Sequence, residues 1–125
     1  MNWYKSAQSP TGLSVWLDDL RDPNDPYIQQ HFGTTGNEIW VKTIDEAIEL
    51  INSGDVSSIS LDNDLGEGIP EGYKVAEYIE EKAFNGEVEP LEVHVHSANP
   101  VRAKDMMSAI ENAQRFWFRS SPAQL

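Results

Sequence analysis

Residues 58–66 have the sequence SISLDNDLG, and this stretch decides the fold of the 125-residue chain. A short run of strand character leads directly into an acidic segment and a glycine, which predicts a buried strand and its exit loop. The same pattern occurs at residues 13–19 (LSVWLDD), where an apolar run stops at two aspartates. Two strands that end in acidic residues are therefore predicted, one near the start of the chain and one at its centre.

Strand and helix patterns alternate along the chain. Residues 38–42 predict a second strand, and a helix follows it because Thr43 and Glu46 have the spacing of a capping box. Gly54 stands where that helix should stop. The other predicted elements are a short helix near residues 26–32, a helix at 72–84, a strand at 91–96 and a last helix opened by Asn99 and Pro100.

This alternation predicts an α/β fold, a flavodoxin-like three-layer sandwich with a mainly parallel sheet of strand order 2-1-3-4. Residues 116–118 (FWF) leave two alternatives open, because they either end the last helix or start a fifth strand. The length allows one core, which we place at residues 13–119. An N-terminal arm at 1–12 and a tail at 120–125 are expected to flank it.

The composition excludes several classes of function. A formal net charge of −12 argues against sequence-independent nucleic-acid binding, which needs a cationic surface. An acidic chain can still act on a nucleotide or an RNA end if a metal ion supplies positive charge.

The absence of cysteine excludes disulfides and thiolate metal sites. No signal-peptide core or membrane-length apolar run is present, so we expect a cytoplasmic protein without a membrane partner.

Four aspartates follow the two acidic strands. In an open parallel sheet, ligands bind beyond the carboxyl ends of the strands where the strand order reverses, here between strands 1 and 3. Topology should therefore bring Asp18 and Asp19 to the same crevice as Asp62 and Asp64. Carboxylates that share a crevice repel one another unless a cation joins them, and oxygen ligands favour Mg²⁺ or Mn²⁺. Taken singly, each aspartate also fits a helix cap or a solvated loop.

The segment HVHSANP at residues 94–100 adds a possible phosphate seat. The free amides at the start of the following helix suit an anion, and Ser97 and Asn99 could donate further hydrogen bonds to it. His96, near the end of the strand, could shuttle a proton. The alternatives are that Asn99 is a plain helix cap and that the histidines, His94 above all, are structural.

Arg21 lies just after the first acidic pair. Its guanidinium could hold an anionic substrate in the planar, bidentate manner that lysine cannot provide. It could equally form an ion pair with Asp18, Asp19 or Asp22. The sequence leaves both interpretations open.

Together these motifs resemble the response-regulator receiver superfamily, and more closely its family described as cyclic-phosphate processing. The resemblance covers residues 13 to about 110. It rests on residues 16–21 (WLDDLR), 43–47 (TIDEA), 61–66 (LDNDLG) with Gly72 and Tyr73, and 96–100 (HSANP).

The resemblance implies a metal-dependent phosphoryl site that processes cyclic or terminal phosphates of nucleotides or RNA ends. Signalling receivers also have a lysine at the end of a fifth strand, whereas no lysine follows Lys104 in this chain, and Lys104 falls within the last predicted helix. Asp64 and His96 are additions that a phospho-relay site does not require. These departures favour hydrolysis or binding of an external phosphate over phosphoacceptor signalling.

Three functions follow from these observations. The first is a phosphoesterase with Asp62 and His96 as catalytic residues, in which Arg21, Ser97 and Asn99 hold phosphate oxygens. The second is a receiver-type signalling module in which Asp62 is the phosphoacceptor. The third is a catalytically silent domain whose acidic surface binds a ligand or a protein partner.

Overall fold

A computed structural model of the protein describes residues 12–120. The predicted arm, apart from Gly12, and the predicted tail after Ser120 lie outside the described residues. The described elements, in chain order, are β1 (Leu13–Leu17), α1 (Pro26–Phe32), β2 (Ile39–Val41), α2 (Ile44–Ser53), β3 (Val56–Leu61), α3 (Tyr73–Phe84), β4 (Glu92–Val95) and α4 (Pro100–Ser120).

The strands form one parallel sheet in the order β2-β1-β3-β4, which confirms the predicted α/β class and strand order. Leu17 at the end of β1 is in register with Val41 on one side and Leu61 on the other. Leu61 is in turn aligned with Val95 at the end of β4. The four strands therefore end at the same level, and the residues that follow them leave the sheet side by side.

Residues 116–118 belong to α4, so the helical alternative is correct, and the sheet has four strands among residues 12–120. Phe116 and Trp117 pack against the core, and the Trp117 indole donates a 3.0 Å hydrogen bond to the carbonyl of Val88. This contact holds the end of the helix against the loop before β4.

No helix within residues 12–120 has the length and apolar character needed to cross a membrane.

The hydrophobic core lies on one face of the sheet, beneath α2, α3 and α4. Val15 and Leu17 of β1 and Ile59 and Leu61 of β3 point into it, which is the period-two pattern of a strand. Complete burial of one such side chain contributes roughly 2 kcal/mol. The helices supply Ala47, Ile51, Val75, Ala76, Ile79, Ala83, Met106, Ala109, Ile110 and Ala113. The predicted capping box of α2 is present.

The intervening residues of the strands lie on the second face of the sheet. Ser14, Ser58 and Ser60 make this face largely polar, and Trp16 is its buried aromatic residue, 3% exposed. The ring of Phe32 in α1 meets the Trp16 ring edge-on, at 6.2 Å between centroids. The helix α1 thus packs on this second face next to Trp16 of β1, as the third layer of the sandwich.

Candidate functional site

Asp18, Asp62 and His96 form a compact group at the carboxyl end of the sheet. Each is the first residue after a strand, and one ligand atom from each lies within 4.8 Å of the others. Asp18 is fully buried, Asp62 is 5% exposed, and the His96 side chain is 8% exposed. The group therefore has the composition and spacing of a site that could bind a metal ion.

Backbone hydrogen bonds hold this acidic group (Asp18, Asp62 and His96) in place, because each member continues the hydrogen bonding of the sheet by one residue. The amide of Asp18 donates to Val41, that of Asp62 to Leu17 and that of His96 to Leu61, at 3.1, 3.0 and 3.0 Å. The positions of the three side chains thus follow from the strand register, which is a rigid feature of the fold.

The carboxylate of Asp18 is saturated with donors. One oxygen accepts the amides of Leu20 and Arg21, both at 2.9 Å, and the other accepts Arg21 Nη1 at 2.9 Å and faces His96 Nε2 at 3.1 Å. The Trp40 indole also donates to the Asp18 carbonyl at 2.7 Å. Burial opposes ionisation of Asp18, but hydrogen bonds from His96, from the two amides and from the guanidinium outweigh it and lower the pKa to about 2.

The carboxylate of Asp62 is in the opposite situation. One oxygen accepts the adjacent amide of Asn63 at 2.8 Å, whereas the other lies 3.8 Å from the Arg21 guanidinium, too far for a hydrogen bond. Burial raises the pKa of Asp62, and the negative charge of Asp18 raises it further. Among residues 12–120, Asp62 is thus the buried carboxylate with an oxygen free to bind a ligand.

The imidazole of His96 is held on both nitrogens and on one face. Nδ1 lies 2.8 Å from the Ser60 hydroxyl, and Nε2 faces Asp18. The Trp16 indole stacks on the ring at 3.7 Å between centroids and 4° between planes. The Phe32 ring meets the imidazole edge-on at 6.1 Å. This confinement fixes which nitrogen is directed toward the carboxylates.

Arg21 makes the ion pair that the sequence left open. Its guanidinium lies between the two carboxylates, close to Asp18 and 3.8 Å from Asp62, and 5.0 Å from the centre of the Phe32 ring. The side chain is 32% exposed, so solvent reaches part of it. With His96 neutral, the two carboxylates and the guanidinium together have a formal charge of −1.

Asp19 and Asp64, the other predicted metal ligands, lie outside the acidic group. Asp19 is half-buried near the backbone of Gly66, and Asp64 is exposed and accepts the Asn63 side-chain amide at 3.1 Å. The histidine nitrogen takes the place of these oxygens in the group. The acidic group therefore offers two carboxylates and one imidazole as metal ligands, rather than the oxygen-only ligands expected from the sequence.

The hydrogen bonds of Ser97 and Asn99 are those of a helix start. The Ser97 hydroxyl accepts the amide of Asn99 at 3.0 Å, and the Asn99 side chain accepts the amide of Arg102 at 3.1 Å, as in an N-cap. His94 is exposed and pairs with Glu92 at 2.9 Å, away from the acidic group. The observed contacts therefore match the alternatives in which Asn99 is a helix cap and His94 is a structural residue.

Sequence reasoning missed three residues that support the site. Ser60 and Trp16 contact His96, and Phe32 packs against Trp16 and Arg21. The period-two pattern of β1 and β3 places Trp16 and Ser60 on the face opposite the core, which was the available signal. Phe32 lies in a short helix whose docking depends on tertiary contacts.

A family model described as "Cyclic-phosphate processing Receiver domain" matches residues 13–112. The chain belongs to this family. The match begins with β1, ends within α4 and contains the whole acidic group. No curated protein and no solved structure matches the chain.

In this receiver domain the loop after β3 is locked against the start of α3. The amide of Gly72 donates to the Asn63 carbonyl at 2.8 Å, and the amide of Tyr73 donates to the Asn63 side chain at 3.0 Å. A side chain at Gly72 would overlap the carbonyl oxygen of Asp62, so only glycine allows this approach. The lock fixes the backbone of Asp62 next to the acidic group.

Proposed function

We propose that this receiver domain is a metal-dependent phosphoesterase that acts on cyclic or terminal phosphates of nucleotides or RNA ends. The proposal rests on Asp62, a buried carboxylate with a raised pKa and a free oxygen beside Asp18 and His96. A cation stabilises a carboxylate in this position. The family description supports a phosphate as the class of ligand.

The charge of the site favours a divalent ion. The acidic group and Arg21 sum to −1 with His96 neutral, which repels a phosphate anion, and a divalent cation changes this sum to +1. Asp62 and Asp18 would hold the ion, and Asp19 and Asp64 are additional ligands in our proposal, whereas His96 Nε2 stays off the metal so that it can hold a proton. Mg²⁺ and Mn²⁺ both suit these carboxylate oxygens. When bound, the ion would supply Lewis-acid stabilisation of charge on phosphate oxygens.

The residues of the chain have distinct roles in this proposal. Water attacks phosphorus, one P–O bond forms and the bond to the leaving oxygen breaks. Doubly protonated His96 donates the Nε2 proton to that oxygen and becomes neutral, and the proton lost by the attacking water passes to solvent. The Arg21 guanidinium holds phosphate oxygens, together with Ser97 and Asn99 at the start of α4.

A substrate screen with one variant tests the proposal. Nucleoside 2′,3′-cyclic and 3′,5′-cyclic phosphates and phosphate-ended RNAs are incubated with the wild-type protein and Mg²⁺ or Mn²⁺. We expect metal-dependent turnover that falls by about 100-fold or more in Asp62→Asn, with an unchanged circular dichroism spectrum. The control is Asp55→Asn, an exposed aspartate that precedes β3 at its opposite end. Full turnover by Asp62→Asn would overturn the mechanism.

Receiver-type signalling is the second candidate, because the free oxygen of Asp62 could also accept a phosphoryl group. Against it, no lysine follows Lys104, which is exposed in α4. Incubation with acetyl phosphate and Mg²⁺, followed by intact-mass measurement, separates the two. A gain of about 80 Da on Asp62, the mass of one phosphoryl group, favours signalling. Cyclic-phosphate turnover without an adduct favours the enzyme. If neither an adduct nor turnover is observed, a silent binding domain is favoured.

A further inference from the structure

The hydrogen bond between Ser60 and His96 lies behind the acidic group, and Ser60 is not among the residues on which the family resemblance rests. We propose that Ser60 is a positioning residue for His96, whose hydroxyl stays bonded to Nδ1 whichever ring nitrogen holds the proton. Nε2 is thereby kept directed at the acidic group. The inference rests on the proposed function and adds to it the residue that orients the proton donor.

The contacts of His96 define which ring nitrogen holds the proton before substrate binds. Leu20 and Arg21 donate three hydrogen bonds to the Asp18 carboxylate, so Asp18 is an acceptor toward Nε2, 3.1 Å away. A neutral imidazole has one N–H, and placing it on Nδ1 would set two lone pairs against each other at Nε2. The proton therefore lies on Nε2, and the Ser60 hydroxyl donates to Nδ1 at 2.8 Å.

A hydroxyl suits this position because it both donates and accepts. The doubly protonated ring that the proposed function requires has a proton on each nitrogen, so Ser60 is then the acceptor of the Nδ1 proton, and this bond remains after Nε2 releases its proton to a leaving oxygen. Under the proposed function Asp18 binds the cation at that moment, so its bond to Nε2 is weakened. The contact with Ser60 is then the polar contact that prevents the ring from rotating.

In these surroundings, little water can compete with the Ser60 hydroxyl for the hydrogen bond to His96 Nδ1. The His96 side chain is 8% exposed, and Trp16 covers one face of its ring. Ser60 is aligned with Trp16 in the sheet, so the hydroxyl and the indole approach the imidazole from neighbouring strands. Loss of the hydroxyl would leave Nδ1 buried without a protein partner among residues 12–120.

Ser60→Ala, Ser60→Thr and Ser58→Ala test the inference. Threonine keeps the hydroxyl and is tolerated in strands. Ser58 is the matched control, because it lies on the same face of β3 but bonds Ser14 at 3.1 Å. We expect Ser60→Ala to lower kcat about tenfold, the loss of about one hydrogen bond, with KM within about twofold. Ser60→Thr should restore kcat, and Ser58→Ala should not change it.

The ring nitrogens of His96 provide a readout that does not need turnover. In ¹⁵N-labelled, metal-free protein, the Nδ1 chemical shift should change in Ser60→Ala and stay at the wild-type value in Ser58→Ala. An unchanged Nδ1 shift in folded Ser60→Ala overturns the inference. If the wild type hydrolyses no phosphate, the proposed function fails, and the Nδ1 shift then decides alone whether Ser60 holds the ring.

Discussion

The carboxylate of Asp18 makes four hydrogen bonds within residues 12–120, whereas the carboxylate of Asp62, at the end of the adjacent strand, makes one. The two residues are equivalent in the sheet, because each follows a strand end by one position. Their pKa values are shifted in opposite directions by this difference. Asp18 organises the loop after β1, and Asp62 is left available for a ligand.

The first prediction concerns the stability of the metal-free protein at pH 7. Because burial and Asp18 raise the pKa of Asp62, its ionised form opposes folding. Asp62→Asn should therefore raise the free energy of unfolding. Asp18→Asn removes charge-assisted hydrogen bonds and should lower it by more than about 2 kcal/mol. Urea unfolding measures both, and a destabilised Asp62→Asn contradicts the assignment.

The second prediction is the acid dependence of stability. The pKa of Asp18 is about 2 in the folded protein against an ordinary value of 3.8, so the unfolded state binds more protons between these values. The contribution of Asp18 is complete above about pH 5. It falls by about 1 kcal/mol by pH 3 and by about 2 kcal/mol below pH 2. The gap in unfolding free energy between wild type and Asp18→Asn should shrink accordingly. A gap that is constant from pH 6 to pH 3 contradicts this.

The third prediction concerns competition between Arg21 and a cation. The guanidinium lies 2.9 Å from one carboxylate and 3.8 Å from the other, so it repels a metal ion at the same place. Arg21→Gln should tighten Mn²⁺ binding by about tenfold or more and weaken binding of phosphate. Calorimetry of each ligand tests this, with Arg119→Gln in the last turn of α4 as control. Weaker Mn²⁺ binding by Arg21→Gln would contradict it.

The fourth prediction separates steric fit from backbone strain at two glycines. Gly72 has ordinary helical dihedrals, but a Cβ there overlaps the Asp62 carbonyl, whereas Gly68 has a positive φ of 75° and open space around it. Gly72→Ala should lower the free energy of unfolding by about 3 kcal/mol or more. Gly68→Ala should cost about 1 kcal/mol. Equal losses in thermal unfolding would show that the lock at Gly72 is not tight.

The fifth prediction tests the role of Asn99. Its side chain caps α4 through the amide of Arg102, so Asn99→Ala should cost about 1 kcal/mol of stability. Asn99→Asp preserves the acceptor and should restore the stability. Turnover should stay low in Asn99→Asp, because a carboxylate cannot donate to the phosphate as the Asn99 amide does in the proposed function and also repels it; full turnover would show that Asn99 only caps the helix.

Local signals explain how much of the fold could be predicted. The capping box of Thr43 and Glu46 and the stop at Gly54 predict the helix α2, and each of these signals acts over about one helical turn. The sequence does not decide the secondary structure of residues 116–118, because three aromatic residues fit a strand or a helix equally well. This was settled by contacts of Phe116 and Trp117 with the core.

The sequence by itself determined the order of the elements and the placement of Asp18, Asp62 and His96 at strand ends. These features depend on periodicity and turn chemistry, which act over short distances along the chain. Only the tertiary structure decided that Asp18 is saturated, that Asp62 keeps a free oxygen and that Ser60 supports His96. His96 and Asp18 are 78 positions apart, and their contact depends on packing at the scale of a hydrogen bond, which no local pattern encodes.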